Sequence, residues 1–141
     1  MLPDHPRPAD PWRLYHDLLA DIPDGITVTD CTVSHWTYVS TDAGSTGLAM
    51  TTEGGPRLTD LRDAVIGTDL RTVAGYVTSW DLTLASIGAA ALNSWHNTLD
   101  RVMAYDPDVL DRGTSTFDEH LPYVHGRRVA TVGHFRIVER L

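Results

Sequence analysis

The chain has 141 residues, of which 42% are hydrophobic and 21% charged, and its net charge is −8. This length fits one domain of ordinary size plus the start of another, and the composition is that of a folded globular protein. The acidic balance argues against nucleic-acid binding, and the absence of lysine excludes pyridoxal-phosphate Schiff bases and P-loops.

The first nine residues carry three prolines where a secretory signal needs an apolar run, and no later segment is apolar enough to cross a bilayer. We therefore expect a cytoplasmic protein with no membrane partner. Cys31 is the single cysteine, so the chain can form neither an internal disulfide nor a Cys-Cys zinc site.

The N-terminal part predicts a helix followed by a sheet. Asp10 and Pro11 are typical of a helix N-cap and first helical position, and apolar residues then recur at helical spacing. From residue 26 onward, β-branched and aromatic residues predict two paired strands, with a β-bulge near Asp30. A third strand over residues 47–51 completes an antiparallel meander.

Two helices are predicted next. Thr68 is interpreted as the cap of a helix whose apolar residues, from Leu70 to Val77, follow the helical period. In a second helix, residues 85–93 are small on almost every face. Gly88 in its middle costs about 1 kcal/mol relative to alanine, which indicates that another backbone approaches closely. The predicted fold class is therefore α+β, with a three-stranded antiparallel meander packed against helices.

Residues 105–115, rich in Asp, Pro and Gly, are predicted to link a domain over residues 1–104 to a second unit over residues 116–141. Ser115 or Thr116 can cap a short helix there. Residues 129–133 form an apolar run typical of a buried parallel strand. We interpret this strand as the start of a Rossmann-like domain that the 141 residues cannot complete.

A family resemblance rests on segments spread along the chain: Trp12 and Tyr15 with Ile22-Pro23, residues 47–49, Ser79-Trp80, residues 85–93, and residues 126–135. Together they resemble the family called "putative heavy-metal chelation". The resemblance implies an enolase N-terminal-like domain followed by a Rossmann-like domain, with a ligand or metal site in the cleft between them. It covers nearly the whole chain, although family members continue for about another domain.

The sequence contains seven histidines: His5, His16, His35, His96, His120, His125 and His134. No two of them form a helical metal-binding pair, so the pattern alone predicts no metal site. His134 stands out because it follows the predicted parallel strand and matches the family motif. It is the candidate ligand for a divalent transition metal as cofactor.

The candidate ligand-binding residues are Asn93, Asn97, Ser86, Gly133 and Phe135. Asn93 and Asn97 lie four residues apart, and both amides would share a helix face if the helix continues. The alternative is that one of them caps the helix C-terminus and that Ser86 serves only packing. Cys31 lies in a strand pattern, which favours a buried, inert thiol.

Three functional hypotheses remain open. The first is a metal- or small-ligand-binding protein, as the resemblance implies. The second is a subunit of a small-metabolite enzyme completed by a partner chain, and the third is a self-associating remnant whose strand over residues 129–132 pairs with another copy. We expect a homo-oligomer or a partner chain that supplies the missing Rossmann-like half.

Overall fold

The computed structural model describes residues 10–52, 58–109 and 116–130. The chain forms two compact units, Met1–Val102 and Met103–Leu141. Among the described helices, none combines the length and apolar character needed to span a membrane.

The first helix, α1, covers Arg13–Ala20 and its N-cap residue is Trp12, so the prediction that Asp10 is the N-cap was wrong. Asp10 still stabilises this helix start, because its carboxylate accepts a hydrogen bond from the Trp12 backbone N–H at 2.9 Å. The carboxylate also contacts His16 Nδ1 at 3.0 Å. The helix therefore begins later than predicted, and a side chain that precedes it holds its start.

The sheet contains three antiparallel strands, β1 (Val28–Val33), β2 (Trp36–Thr41) and β3 (Thr46–Met50), in the order β1-β2-β3. The register shifts between Val28 and Asp30, which confirms the predicted bulge. Thr37 and Val39 face the core, whereas Trp36, Leu48 and Met50 are 52%, 58% and 68% exposed on the other face. One face of the sheet is thus buried, and several of the larger apolar side chains of β2 and β3 lie on the other face.

Two short helices follow the sheet. Helix α2 (Leu58–Val65) was not predicted, and α3 (Leu70–Ala74) continues into a 3₁₀ turn at Gly75–Thr78. The cap of α3 is Asp69, whose carboxylate accepts from Thr72 N at 3.0 Å, so the prediction of Thr68 was wrong by one residue. The Thr68 hydroxyl instead donates to the Ala64 carbonyl near the end of α2.

Helix α4 (Leu82–His96) lies across the buried face of the sheet and is central, as predicted. The Asp81 carboxylate caps it by accepting from Thr83 N and Leu84 N. A Cβ on Gly88 would overlap the backbone of Tyr76 and Val77, which confirms the predicted close approach. The core that results contains Ile22, Val28, Cys31, Val39, Val65, Leu70, Val73, Ala74, Ile87, Ala90, Ala91 and Leu92.

Helix α5 covers Leu99–Tyr105, so the first residue of the predicted linker is helical. In the second unit, α6 covers Thr116–Val124, with Asp118 and Glu119 in its first turn. Val129 and Ala130 lie in irregular backbone, and the rest of the predicted parallel strand lies outside the described residues. The α+β class is therefore established, whereas the enolase-like and Rossmann-like assignments and the predicted domain boundaries stay predictions.

Candidate functional site

A groove of ≈ 550 Å³ lies within the first unit, where the turn joining β2 to β3 meets the junction of α4 and α5. This volume is within the range of small-molecule sites, roughly 300–1,000 Å³. The groove is lined by Ala43, Gly44, Ser45, Thr46, Ser94, Trp95, Asn97, Thr98, Leu99, Asp100 and Arg101.

The first wall of the groove is the β2–β3 turn. Gly44 has φ +76°, a conformation that glycine adopts without steric cost, and its N–H donates to the Thr41 carbonyl at 3.1 Å. The Thr41 and Ser45 hydroxyls are 2.8 Å apart and hydrogen-bonded. Asp42 accepts from Thr27 N at 2.9 Å, which ties the turn to the segment preceding β1. Hydrogen bonds within the turn and to the segment preceding β1 therefore hold this wall in place.

The second wall is the end of α4 and the start of α5. Asn97 is the C-cap residue of α4, and its backbone N–H donates to the Asn93 carbonyl at 3.0 Å. After Thr98 the chain enters α5, which places Asp100 and Arg101 in its first turn. Within the described ranges, the side chains of Asn97, Thr98 and Asp100 make no hydrogen bond or ion pair. Their polar groups are thus available to a ligand.

Arg101 is held at the groove by two contacts. Its Nη1 donates to Asp21 Oδ2 at 2.7 Å, and its guanidinium carbon lies 4.2 Å from the centroid of the Trp95 ring. Trp95 Nε1 donates to the same carboxylate oxygen at 3.4 Å. The hydrogen bond from Arg101, more than any other contact, lowers the pKa of Asp21. These contacts connect the end of α1 to α4 and α5.

His96 adds a further tie between α4 and α1. Its Nε2 lies 3.0 Å from the Leu18 carbonyl oxygen, and because a carbonyl only accepts, Nε2 must carry the proton. Its Nδ1 is 3.8 Å from Asp21 Oδ2. The His96 imidazole thus joins the end of α4 to α1.

Three of the predicted ligand-binding residues lie on α4 or at its end, and the structure separates them. Asn93 Nδ2 donates to the Leu48 carbonyl at 2.7 Å, which joins α4 to β3. The Ser86 hydroxyl donates to Leu82 O at 2.9 Å and accepts from Thr52 N at 3.0 Å. Asn97 lines the groove as the helix C-cap, which is the alternative considered for this pair. A ligand role for all three stays a prediction.

The remaining predicted site residues, Gly133, His134 and Phe135, lie outside the described residues. In the part of the chain that the structure describes, no three His, Cys, Asp or Glu side chains are arranged to hold a metal ion. The metal role of His134 therefore also stays a prediction.

The Cys31 thiol is fully buried in the core, as predicted. Burial, assisted by the nearby Asp30 carboxylate, raises its pKa to about 11. A thiol with so little thiolate at neutral pH is a poor nucleophile and a poor metal ligand.

Asp21, Trp95 and Arg101 were missed by the sequence analysis. The hydrogen bonds from Trp95 and Arg101 to Asp21 span 74 and 80 residues, so no local period brings these residues together. Each residue alone has an ordinary interpretation as a helix-end or surface side chain. Only the packing of α4 against the rest of the unit shows that Trp95 and Arg101 line one groove and that Asp21 holds them there.

Comparison with solved structures gives a match to a protein with unknown function from the DUF364 family of Desulfitobacterium hafniense DCB-2. The TM-score is 0.76 and the identity is 26%, over 92% of this chain and 52% of the other. The chain thus spans about half the length of that protein. No curated protein matches the chain.

Residues 15–96 match the sequence model of the family DUF4213, which is described as "Putative heavy-metal chelation". The matched range contains the whole meander together with helices α2 to α4. The chain therefore belongs to this family.

Proposed function

We propose that this protein binds a metal ion or a metal-containing small ligand, in keeping with heavy-metal chelation. The observation that carries the proposal is the family match over residues 15–96, which coincides with a folded α+β core. The likeness to the DUF364 protein supports the fold but adds no ligand, because that protein is described as having unknown function.

The described residues alone do not fit a resident metal, since they contain no suitable group of three ligands. Cys31 contributes nothing, because its thiol is buried and its pKa is raised to about 11. The proposal therefore relies on His134, whose imidazole suits divalent transition metals such as zinc, copper and nickel. Further ligands would come from other residues beyond Ala130 or from a partner chain. The proposal includes the Rossmann-like unit that the resemblance implies.

Metal titration of the 141-residue protein tests the role of His134. We expect His134→Ala to weaken binding of Zn²⁺ or Ni²⁺ by about tenfold or more, since loss of one ligand from an incomplete set removes a large share of the affinity. His125→Ala is the matched control, because His125 is an exposed histidine of the second unit. Equal metal binding by wild type and His134→Ala would remove His134 from the proposal.

A further inference from the structure

The groove between the β2–β3 turn and the α4–α5 junction has a chemistry unlike that of a metal site. It offers an amide at Asn97, a hydroxyl at Thr98, a carboxylate at Asp100 and a guanidinium at Arg101. Hydroxyl and amide groups are weak ligands for the transition metals considered above. The groove is therefore a candidate for a second, organic ligand.

The charges around the groove disfavour an anionic ligand. The positive charge of Arg101 is balanced by Asp21, whose Oδ2 lies 2.7 Å from Nη1. Asp100 adds a carboxylate with no ion-pair partner among the described residues, and the whole chain carries a net charge of −8. A multiply charged anion such as a nucleoside triphosphate would be repelled by this field.

The unpartnered groups match a ligand whose hydroxyls both donate and accept. The Asn97 amide donates and accepts, whereas the Asp100 carboxylate only accepts. Two adjacent hydroxyls on one ligand can satisfy both groups at once. Leu99, 58% exposed, and the indole of Trp95 supply apolar surface for the C–H face of the same molecule.

We propose that this groove binds a neutral small molecule with adjacent hydroxyl groups, of sugar or nucleoside size. The volume of ≈ 550 Å³ accommodates such a molecule. Sugars and ribonucleosides share adjacent hydroxyl groups, and only the nucleosides also carry a planar base. This proposal does not depend on a metal and holds whether or not His134 is a metal ligand.

The test uses the 141-residue chain in buffer with EDTA, so that metal binding does not contribute. The probes are methyl α-glucopyranoside, adenosine, 2′,3′-dideoxyadenosine and ATP, and binding is measured by the shift of the Asn97 side-chain amide signal in ¹⁵N NMR and by saturation-transfer difference. The variants are Asn97→Ala and Asp100→Ala, with Asp63→Ala as the control because Asp63 is exposed on α2 and does not line the groove.

We expect saturable binding of the glucoside or of adenosine, about fivefold or more weaker in Asp100→Ala and in Asn97→Ala and unchanged in Asp63→Ala. For Asn97→Ala, which lacks the amide signal, saturation transfer gives the affinity. Preference for the glucoside would identify a sugar site, and preference for adenosine a nucleoside site. The proposal is overturned if no diol probe binds saturably, if adenosine binds and the dideoxy analogue or ATP binds equally well, or if neither groove variant weakens binding.

Discussion

Replacing Gly88 with alanine sets two physical effects of opposite sign against each other. Gly88 lies in the middle of α4, where helix propensity alone favours alanine by about 1 kcal/mol. The packing opposes the change, because a Cβ at this position would overlap backbone atoms of Tyr76 and Val77 in the 3₁₀ turn. Those atoms are not the flexible end of a side chain, so α4 or the turn must move.

We expect the steric effect to dominate. Overpacking of a well-packed core costs about 1–3 kcal/mol, and direct contact with backbone places Gly88→Ala near the upper end of that range. After subtraction of the propensity gain, we expect a loss of about 2 kcal/mol in the free energy of unfolding. For a chain of this length, that loss lowers Tm by roughly 6 °C.

Urea denaturation measures the effect, with a lower midpoint and an unchanged m-value as the expected result. Gly75→Ala is the matched control, because Gly75 has φ −59° and a Cβ there would meet nothing within 4 Å. That control should be neutral or stabilising by up to about 1 kcal/mol. If Gly88→Ala were as stable as wild type, the close approach of α4 to the 3₁₀ turn would not be what requires glycine.

Two further predictions concern titrating groups. The pKa of Asp21 is lowered in the folded state, mainly by its hydrogen bond with Arg101. The contribution of this contact to the free energy of unfolding is therefore present above the pKa that Asp21 has in the unfolded chain, and it is lost as the pH falls through the lowered pKa of the folded state. The stability difference between wild type and Asp21→Asn should therefore shrink between pH 6 and pH 3 in urea denaturation, and a difference independent of pH would contradict the role of this contact. Because the Cys31 thiol is fully buried and its pKa is raised to about 11, iodoacetamide at pH 8 should alkylate the native protein at least about a hundredfold more slowly than the unfolded chain. Similar rates, measured by intact mass, would show that the core opens readily.

The sheet and the central helix were predictable because their signals are local. β-branched and aromatic residues are typical of strands, and the change of phase near Asp30 indicates the bulge that the register shift between Val28 and Asp30 confirms. Gly88 is informative for a similar reason, since a poor helix former inside a strong helical pattern needs a packing explanation. Each inference used only neighbours within a few positions.

The errors at helix starts have a different cause. Asp10, Thr68 and Asp69 are all capable of accepting a hydrogen bond from an N–H group, so residue type alone does not select among them. At α3 the choice is made by backbone geometry: Asp69 pairs with Thr27 in an isolated β-bridge, and its side chain then faces Thr72 N at 3.0 Å. That bridge joins residues far apart in sequence, and a local pattern does not contain it.

The groove follows from the close packing of the central helix on the sheet. A Cβ on Gly47 would overlap the backbone at Ala90 and Ser94, so β3 and the last turns of α4 are in direct backbone contact. Because β3 begins immediately after the β2–β3 turn, this contact brings the end of α4 beside Gly44 and Ser45. This close packing therefore also sets the position of Asn97, which lines the groove and is the one predicted ligand-binding residue to do so among those that the structure describes.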